Sequence, residues 1–229
     1  MDLGLTDKVA IITGASDGIG KAAARRIAAE GGTVMIIART ESTLNAAADE
    51  LSQNSKGQVI PVVGDVCDPD LPKRVVEEAI GKFGRIDILV NNAGRSMAKH
   101  FDSVSDVDWE EDFDLKVWGA VRLIRAVIPE MRKNNGGRII NVTNLGGRTP
   151  GPSSMPTSIP RATGIAITKA LSKDLASDNI LVNTVCIGLV KSGQHDRRYE
   201  ALDKEEYNLT LDEYYEQLGQ RVPIGRVAE

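Results

Sequence analysis

Val9-Ala10-Ile11-Ile12-Thr13-Gly14-Ala15-Ser16-Asp17-Gly18-Ile19-Gly20 is the stretch whose reading decides the fold. Four apolar residues run into a turn with glycines at 14, 18 and 20, and an alanine-rich segment follows. A strand that enters a helix this way leaves unpaired backbone N–H groups at the helix N-terminus, where the partial positive charge suits a phosphate. The glycines allow a tight turn and let a pyrophosphate approach without meeting a Cβ. Their spacing is G-x-x-x-G-x-G, not the G-x-G-x-x-G of most dinucleotide-binding folds. The turn is a candidate nucleotide site, with Gly14, Ser16, Asp17, Gly18, Ile19 and Gly20 against the ligand.

Outward from the turn, β-rich runs at 9–13, 33–38, 58–63, 86–91, 138–143 and 180–186 alternate with helical stretches. The stretches lie at 19–30, 41–53, 71–83, 106–133 and within 157–177, with a further helix near 212–218. Gly31-Gly32 and Gly136-Gly137 are stop signals, and Ser105 with Asp108 and Thr210 with Glu213 read as capped starts. Strands alternating with helices imply a parallel sheet covered on both faces. Right-handed crossovers then give an α/β, doubly wound Rossmann fold of six strands. The chain reads as a single domain over 1–229, without internal repeats or a long linker.

Composition narrows the function. The 229 residues are 41% hydrophobic, enough for a sizeable core. A net charge of −4 and a pI near 5.4 argue against a nucleic-acid partner. No apolar run approaches the ~20 residues of a membrane span, and residues 1–4 lack the features of a signal peptide, so the expectation is a cytoplasmic protein. Cys67 and Cys186 follow no metal spacing, and with His100 and His195 as the two histidines no metal site is expected. Trp109, Phe113, Val117, Ala120, Val121, Ile124, Val127, Ile128 and Met131 recur at helical spacing, as do Ala162, Ile165, Ala166, Ala170, Leu171 and Leu175. Both stripes cover the sheet, and both are wide enough to bury a partner copy.

Further motifs carry a resemblance. Asp65-Val66 follows the third strand, Asn91-Asn92-Ala93-Gly94 the fourth, and Gly137-Arg138-Ile139-Ile140-Asn141-Val142 makes the fifth. Val182-Asn183-Thr184 leads to Gly188. With the glycine turn, this order and spacing resembles the short-chain dehydrogenase/reductase family over nearly the whole chain. The resemblance implies pyrophosphate at the turn, adenine at Asp65 and Val66, and a cofactor cleft shaped by Asn91, Ala93 and Gly94. Gly188 and Ser192 stand where the family has a Pro-Gly and a cofactor-binding threonine. Residues 193–220, with Tyr199, Tyr207, Tyr214 and Tyr215, match the family's substrate-covering segment, a lid whose tyrosines are an alternative to Lys116 as the source of the proton. Family members continue through another helix and a seventh strand, so the chain looks truncated at Glu229 or lacks that edge strand. A homodimer or homotetramer is the expected assembly.

Cofactor choice follows from charge. The family's NAD enzymes tend to carry an acid at the end of the second strand, where this chain has Ala38 followed by Arg39 and Thr40. An uncharged position followed by a guanidinium suits a 2′-phosphate, which favours NADP(H).

The family's Asn, Ser, Tyr and Lys tetrad is altered throughout. Aligned without gaps, its positions are Lys116, Asn144, Thr157 and Arg161, and Tyr-x-x-x-Lys occurs nowhere. An aliphatic hydroxyl is about six pK units less acidic than a phenol, on the order of 8 kcal/mol, so Thr157 alone cannot replace the tyrosine. Arg161 can hold ribose hydroxyls, although it keeps its proton. Asn144 can polarise a carbonyl, and Lys116 can titrate near neutrality if desolvated. Two readings follow: an oxidoreductase of a carbonyl or alcohol with a rearranged acid–base group, or a cofactor-binding protein without turnover.

Overall fold

In the computed structural model, residues 3–202 and 208–228 are described, and the chain divides into two compact units, Met1–Cys186 and Ile187–Glu229. The first unit holds β1 (Val9–Thr13), α1 (Gly18–Ala29), β2 (Thr33–Ala38), α2 (Glu41–Ser52), β3 (Val59–Val63), α3 (Leu71–Phe83) and β4 (Ile88–Asn91). After these come α4 (Asp106–Phe113), α5 (Gly119–Lys133), β5 (Gly137–Asn144), α6 (Ser158–Asp174) and β6 (Ile180–Ile187). The sheet order is β3-β2-β1-β4-β5-β6, with β1 pairing in parallel to β2 and β4.

Alternation along the strands builds two cores, one on each face. Ile11, Met35, Leu89 and Ile139 point to one face, where Leu71, Val75 and Ala79 of α3 and Leu123, Val127 and Met131 of α5 cover them. Ala10, Ile12, Val34, Ile36 and Val90 point to the other, under Ala24 and Ala28 of α1 and Leu44, Ala47 and Leu51 of α2. All five residues of β1 are buried, which is why it reads as an unbroken apolar run. On α5 the expected stripe is only partly inward: Ile124, Val127 and Met131 are buried, whereas Ala120, Val121 and Ile128 are half-buried.

Strand order reverses between β1 and β4, and that switch point is where open α/β sheets bind ligands. A clamp joins the two strand ends. The Thr13 hydroxyl accepts from the backbone N–H groups of Asn92 and Ala93, each at 3.0 Å. Asn92 Nδ2 donates to the carbonyls of Thr13 and Gly14 at 3.0 and 2.9 Å. The approach is close enough that a Cβ at Gly14 would lie 2.9 Å from Ala93 Cα, and one at Gly20 would lie 2.5 Å from Gly14 O. Gly14 also has φ +63°, so glycine is demanded twice there.

Sequence and structure differ in two informative places. The fourth strand starts at Ile88, not at 86, although the Asp87 backbone still bonds to Val9 and Arg138 on either side. Its carboxylate accepts from Val9 N–H at 3.0 Å and from Arg85 at 2.8 and 2.6 Å. The stretch at 106–133 is interrupted by a π-turn over Asp114–Trp118, between α4 and α5. Such turns rotate the face that follows them and cluster at functional sites. Both capped starts form: Ser105 with Asp108 opens α4, and Thr210 with Glu213 opens a helix of the second unit. Pro160 lies in the first turn of α6, where its missing N–H costs nothing.

The second unit contains α7 (Gly193–Glu200) and α8 (Leu211–Gly219), gathered around buried Tyr215, Leu218 and Val227. No helix among the described residues is long and apolar enough to cross a membrane.

The clamp should carry measurable stability. Asn92→Ala removes two hydrogen bonds and leaves the Thr13 and Gly14 carbonyls short of a donor, so urea unfolding should report a loss of about 1–3 kcal/mol. A loss below about 0.5 kcal/mol would mean that the turn holds its place without the amide.

Candidate active site

The nucleotide half of the site grows from the turn. Asp17 is the N-cap of α1 but makes no side-chain cap bond, which leaves the first N–H groups of that helix to a ligand. Gly18 has φ +56°, and a Cβ placed there would meet nothing within 4 Å, so the outer wall of the turn is open. Ser16 and Ile19 flank it, both short of full burial. Asp65 turns back on its own loop, its Oδ1 accepting from Cys67 N–H at 3.0 Å. Val66 is buried against Gly119, where a Cβ would come within 3.1 Å of the valine side chain. Asn91 is buried and donates to Asn141 Oδ1 at 2.9 Å, while its own Oδ1 is buried with no donor among the described residues. Open space at Gly18, an uncapped helix end and an orphaned Asn91 oxygen all fit a nicotinamide dinucleotide.

At the edge of this half, Arg39 is largely exposed and lies 3.7 Å from Asp65 Oδ2. An exposed pair at that distance contributes about 0–1 kcal/mol, so Arg39 can exchange its partner for a phosphate at little cost. Thr40 is the N-cap of α2 and makes no side-chain cap bond.

Three of the four altered tetrad positions meet directly. Lys116 lies in the π-turn, and its Nζ donates to Thr157 Oγ at 3.0 Å and to Asp112 Oδ1 one turn earlier. Arg161 Nη1 donates to the same Thr157 Oγ at 2.6 Å and to the Thr157 carbonyl at 2.8 Å. The Lys116 side chain is 6% exposed and that of Asp112 is 0% exposed. Burial pushes the Lys116 ammonium down to about 8, helped by the positive charges of Arg161 and Arg95, while the Asp112 hydrogen bond and charge resist that fall. Gly94 adjoins the lysine stem, a Cβ there coming 4.0 Å from Lys116 Cε.

Asn144 ends β5 beside the start of α6. A Cβ at Gly146 would lie 3.2 Å from Asn144 Oδ1 and 3.1 Å from Ser158 Oγ. That Oδ1 is buried with no donor among the described residues. It can meet a substrate hydroxyl, or, with the amide turned over, offer Nδ2 to a carbonyl oxygen.

The remaining expected residues belong to the second unit. Ser192 is the N-cap of α7, and its N–H donates to the Tyr215 hydroxyl oxygen at 3.3 Å. Tyr215 donates to Asp196 Oδ1 at 2.6 Å, and burial with that contact pushes its phenol up to about 12. Tyr199 donates to the Leu209 carbonyl at 2.8 Å. Both phenols are therefore engaged inside their own unit. Gly188 is exposed, and Tyr207 lies outside the described residues.

Sequence reasoning missed two residues. Asn92 stands inside the Asn91–Gly94 motif that shapes the cleft, but nothing in the motif signals that its amide clamps the turn. Asp112 gave a faint signal as an acid four residues before Lys116.

A Rossmann sheet with a nucleotide turn at its switch point and a polar cluster at the ends of β4, β5 and α6 defines a nicotinamide-dependent oxidoreductase. The family model described as short chain dehydrogenase matches residues 8–203. An uncharacterized oxidoreductase of Bacillus subtilis, YvrD, is 35% identical over 188 residues, which is 82% of this chain and 70% of that protein. The 3-oxoacyl-[acyl-carrier-protein] reductase FabG of Thermotoga maritima is 33% identical over 222 residues, 97% of this chain and 85% of that one. Among solved structures, L-sorbose reductase from Gluconobacter frateurii, complexed with NADPH and L-sorbose, superposes with a TM-score of 0.95. It shares 33% identity over 100% of this chain and 87% of its own. The chain belongs to the short-chain dehydrogenase/reductase family.

The buried ion pair makes its own prediction. Asp112→Ala leaves the Lys116 ammonium without its counter-charge and should cost about 3–5 kcal/mol in urea unfolding. Lys116→Met combined with Asp112→Ala should cost far less than the sum of the two single changes, because neither charge is then stranded. Additive losses would show that the two groups do not act as a pair.

Proposed function

We propose that this chain is an NADP(H)-dependent reductase of carbonyl compounds, working in the reverse direction on alcohols, in which Lys116 and not a phenol supplies the proton. The observation that carries the reading is the buried Lys116 ammonium, bonded to Thr157 at 3.0 Å beside Arg161. A proton donor works best with a pKa near the working pH, and burial brings Lys116 to about 8. The engaged hydroxyls of Tyr199 and Tyr215 argue against the lid as donor.

The roles divide as follows. The α1 N-terminus and the turn from Gly14 to Gly20 hold the pyrophosphate, and Asp65 with Val66 holds the adenine. Asn91, Ala93 and Gly94 line the cleft. Arg39 and Thr40 take the 2′-phosphate, a preference in keeping with the NADPH held by the sorbose reductase. The bound nicotinamide supplies or accepts the hydride. Asn144 polarises the carbonyl, Lys116 is the source of the proton, and Arg161 holds ribose hydroxyls while its charge favours the developing alkoxide. We read the protein as cytoplasmic and as a homodimer or homotetramer. Half-exposed Trp118 beside α5 and exposed Ala166 and Ala170 on α6 support an isologous contact of these helices.

Fluorescence titration should give NADPH tighter binding than NADH. Arg39→Ala should weaken NADPH by roughly 10-fold and leave NADH nearly unchanged, as expected for the loss of a charge-assisted bidentate contact. Equal affinities in the wild type would remove the 2′-phosphate argument.

Reduction should slow as pH rises through about 8, because the protonated form of Lys116 is the acid and is depleted above that value. Lys116→Met should lower carbonyl turnover by roughly 100-fold or more with NADPH affinity held. Firm NADPH binding without turnover on any of a broad carbonyl panel would favour a cofactor-binding protein.

A further inference from the structure

We infer that the Thr157 hydroxyl is a proton relay, accepting from Lys116 as it donates to the carbonyl oxygen of the substrate. The inference rests on the reductase reading above and goes past it, by assigning the atom that touches the substrate. Thr157 is 6% exposed, and its oxygen accepts from two groups that can only donate, Lys116 Nζ at 3.0 Å and Arg161 Nη1 at 2.6 Å. A hydroxyl has two lone pairs and one proton. Both lone pairs are taken, so the O–H must point away from both cations. Among the described residues nothing accepts it: Thr157 Oγ appears as an acceptor in two hydrogen bonds and as a donor in none. A nearly buried hydroxyl whose acceptors are satisfied and whose donor is idle leaves an acceptor to be supplied by a ligand.

A relay also removes the objection from acidity. As an isolated acid, Thr157 would have to form an alkoxide, which lies about six pK units beyond a phenolate. In a relay it releases one proton while taking another, and no alkoxide accumulates on it. The step balances. A hydride from the reduced nicotinamide forms the new C–H bond, and the carbonyl π pair moves to oxygen. That oxygen takes the proton of Thr157 Oγ, Thr157 Oγ takes one from the Lys116 ammonium, and Lys116 ends as a neutral amine. Charged groups face the lysine from three elements: Asp112 on α4, Arg161 on α6 and Arg95 after β4. Arg161 and Arg95 favour release of the proton, whereas Asp112 holds the ammonium in place and favours its return. Arg161 in addition stabilises negative charge on Thr157 Oγ during the transfer.

The test compares Thr157→Val, which keeps the shape and removes the hydroxyl, with Thr157→Ser, which keeps the hydroxyl, and with Lys116→Met. NADPH consumption is followed on a carbonyl panel and in H2O/D2O mixtures. In the ligand-free protein, the pH dependence of Lys116 acylation is read by mass spectrometry. Thr157→Val should reduce turnover about 100-fold or more, and Thr157→Ser should restore it to within about fivefold of wild type. Wild-type rates should bow downward with deuterium fraction, as two protons in flight require, and Lys116 should still titrate near 8 in Thr157→Ser. If Thr157→Val keeps its rate while Lys116→Met loses it, the relay is wrong and lysine donates directly. A serine variant as slow as the valine one would also overturn the relay, by showing that shape and not the hydroxyl matters. If Lys116→Met keeps the wild-type rate, or no carbonyl is reduced, the reductase reading itself fails and the relay goes with it.

Discussion

A buried ammonium needs a counter-charge, and the altered half of this site depends on how Asp112 provides one. Removing a lysine charge from water costs several kcal/mol unless a partner and hydrogen bonds replace the solvent. Here the partner is one helical turn away and wholly buried, and a threonine hydroxyl completes the cage. The π-turn over Asp114–Trp118 lies between the face that presents Asp112 and the face that covers the sheet with Leu123 and Val127. One helix can therefore bury an ion pair on one side and an apolar stripe on another. Without Asp112 the lysine would be forced to lose its proton or leave, and Thr157 would face Arg161 alone.

The nucleotide half and the chemical half hold their shapes by different means. At the turn, backbone groups and the Thr13 and Asn92 clamp set the geometry, and glycines make the approach possible. That arrangement leaves the first N–H groups of α1 open and has no need of a charged side chain. At the chemical half, charges set the geometry: one ammonium and one guanidinium converge on a single hydroxyl, and one carboxylate holds the ammonium. The first arrangement rests on the backbone. The second rests on side chains, because Lys116 needs Asp112 and the two cations need Thr157.

Much of the first half was legible in the sequence. The run from Val9 to Gly20 announces strand, turn and helix through local chemistry alone, and the alternation of strands and helices leaves little choice of topology. The order of the six strands and the capped starts at Ser105 and Thr210 were within reach for the same reason. The binding of the Asp87 carboxylate by Arg85 and by the Val9 N–H was not, because no local pattern reveals those contacts. Asp112 was hidden in a run of acids, Glu110, Glu111, Asp112 and Asp114, that reads as a solvated helix face. Which of these turns inward depends on the rotation of the helix against the sheet. The bond from Lys116 to Thr157 spans 41 residues, and only the meeting of the π-turn with the start of α6 makes it.

The central claim is that Lys116 and Thr157 stand where a phenol would otherwise deliver the proton. It is tested most directly by a crystal structure of the protein with NADP(H) and a carbonyl ligand bound. The account predicts the ligand oxygen within about 3 Å of Thr157 Oγ, with Lys116 Nζ still bonded to that hydroxyl and the nicotinamide C4 facing the carbonyl carbon. A ligand oxygen bonded to a lid tyrosine, or a Lys116 swung away from Thr157, would contradict it.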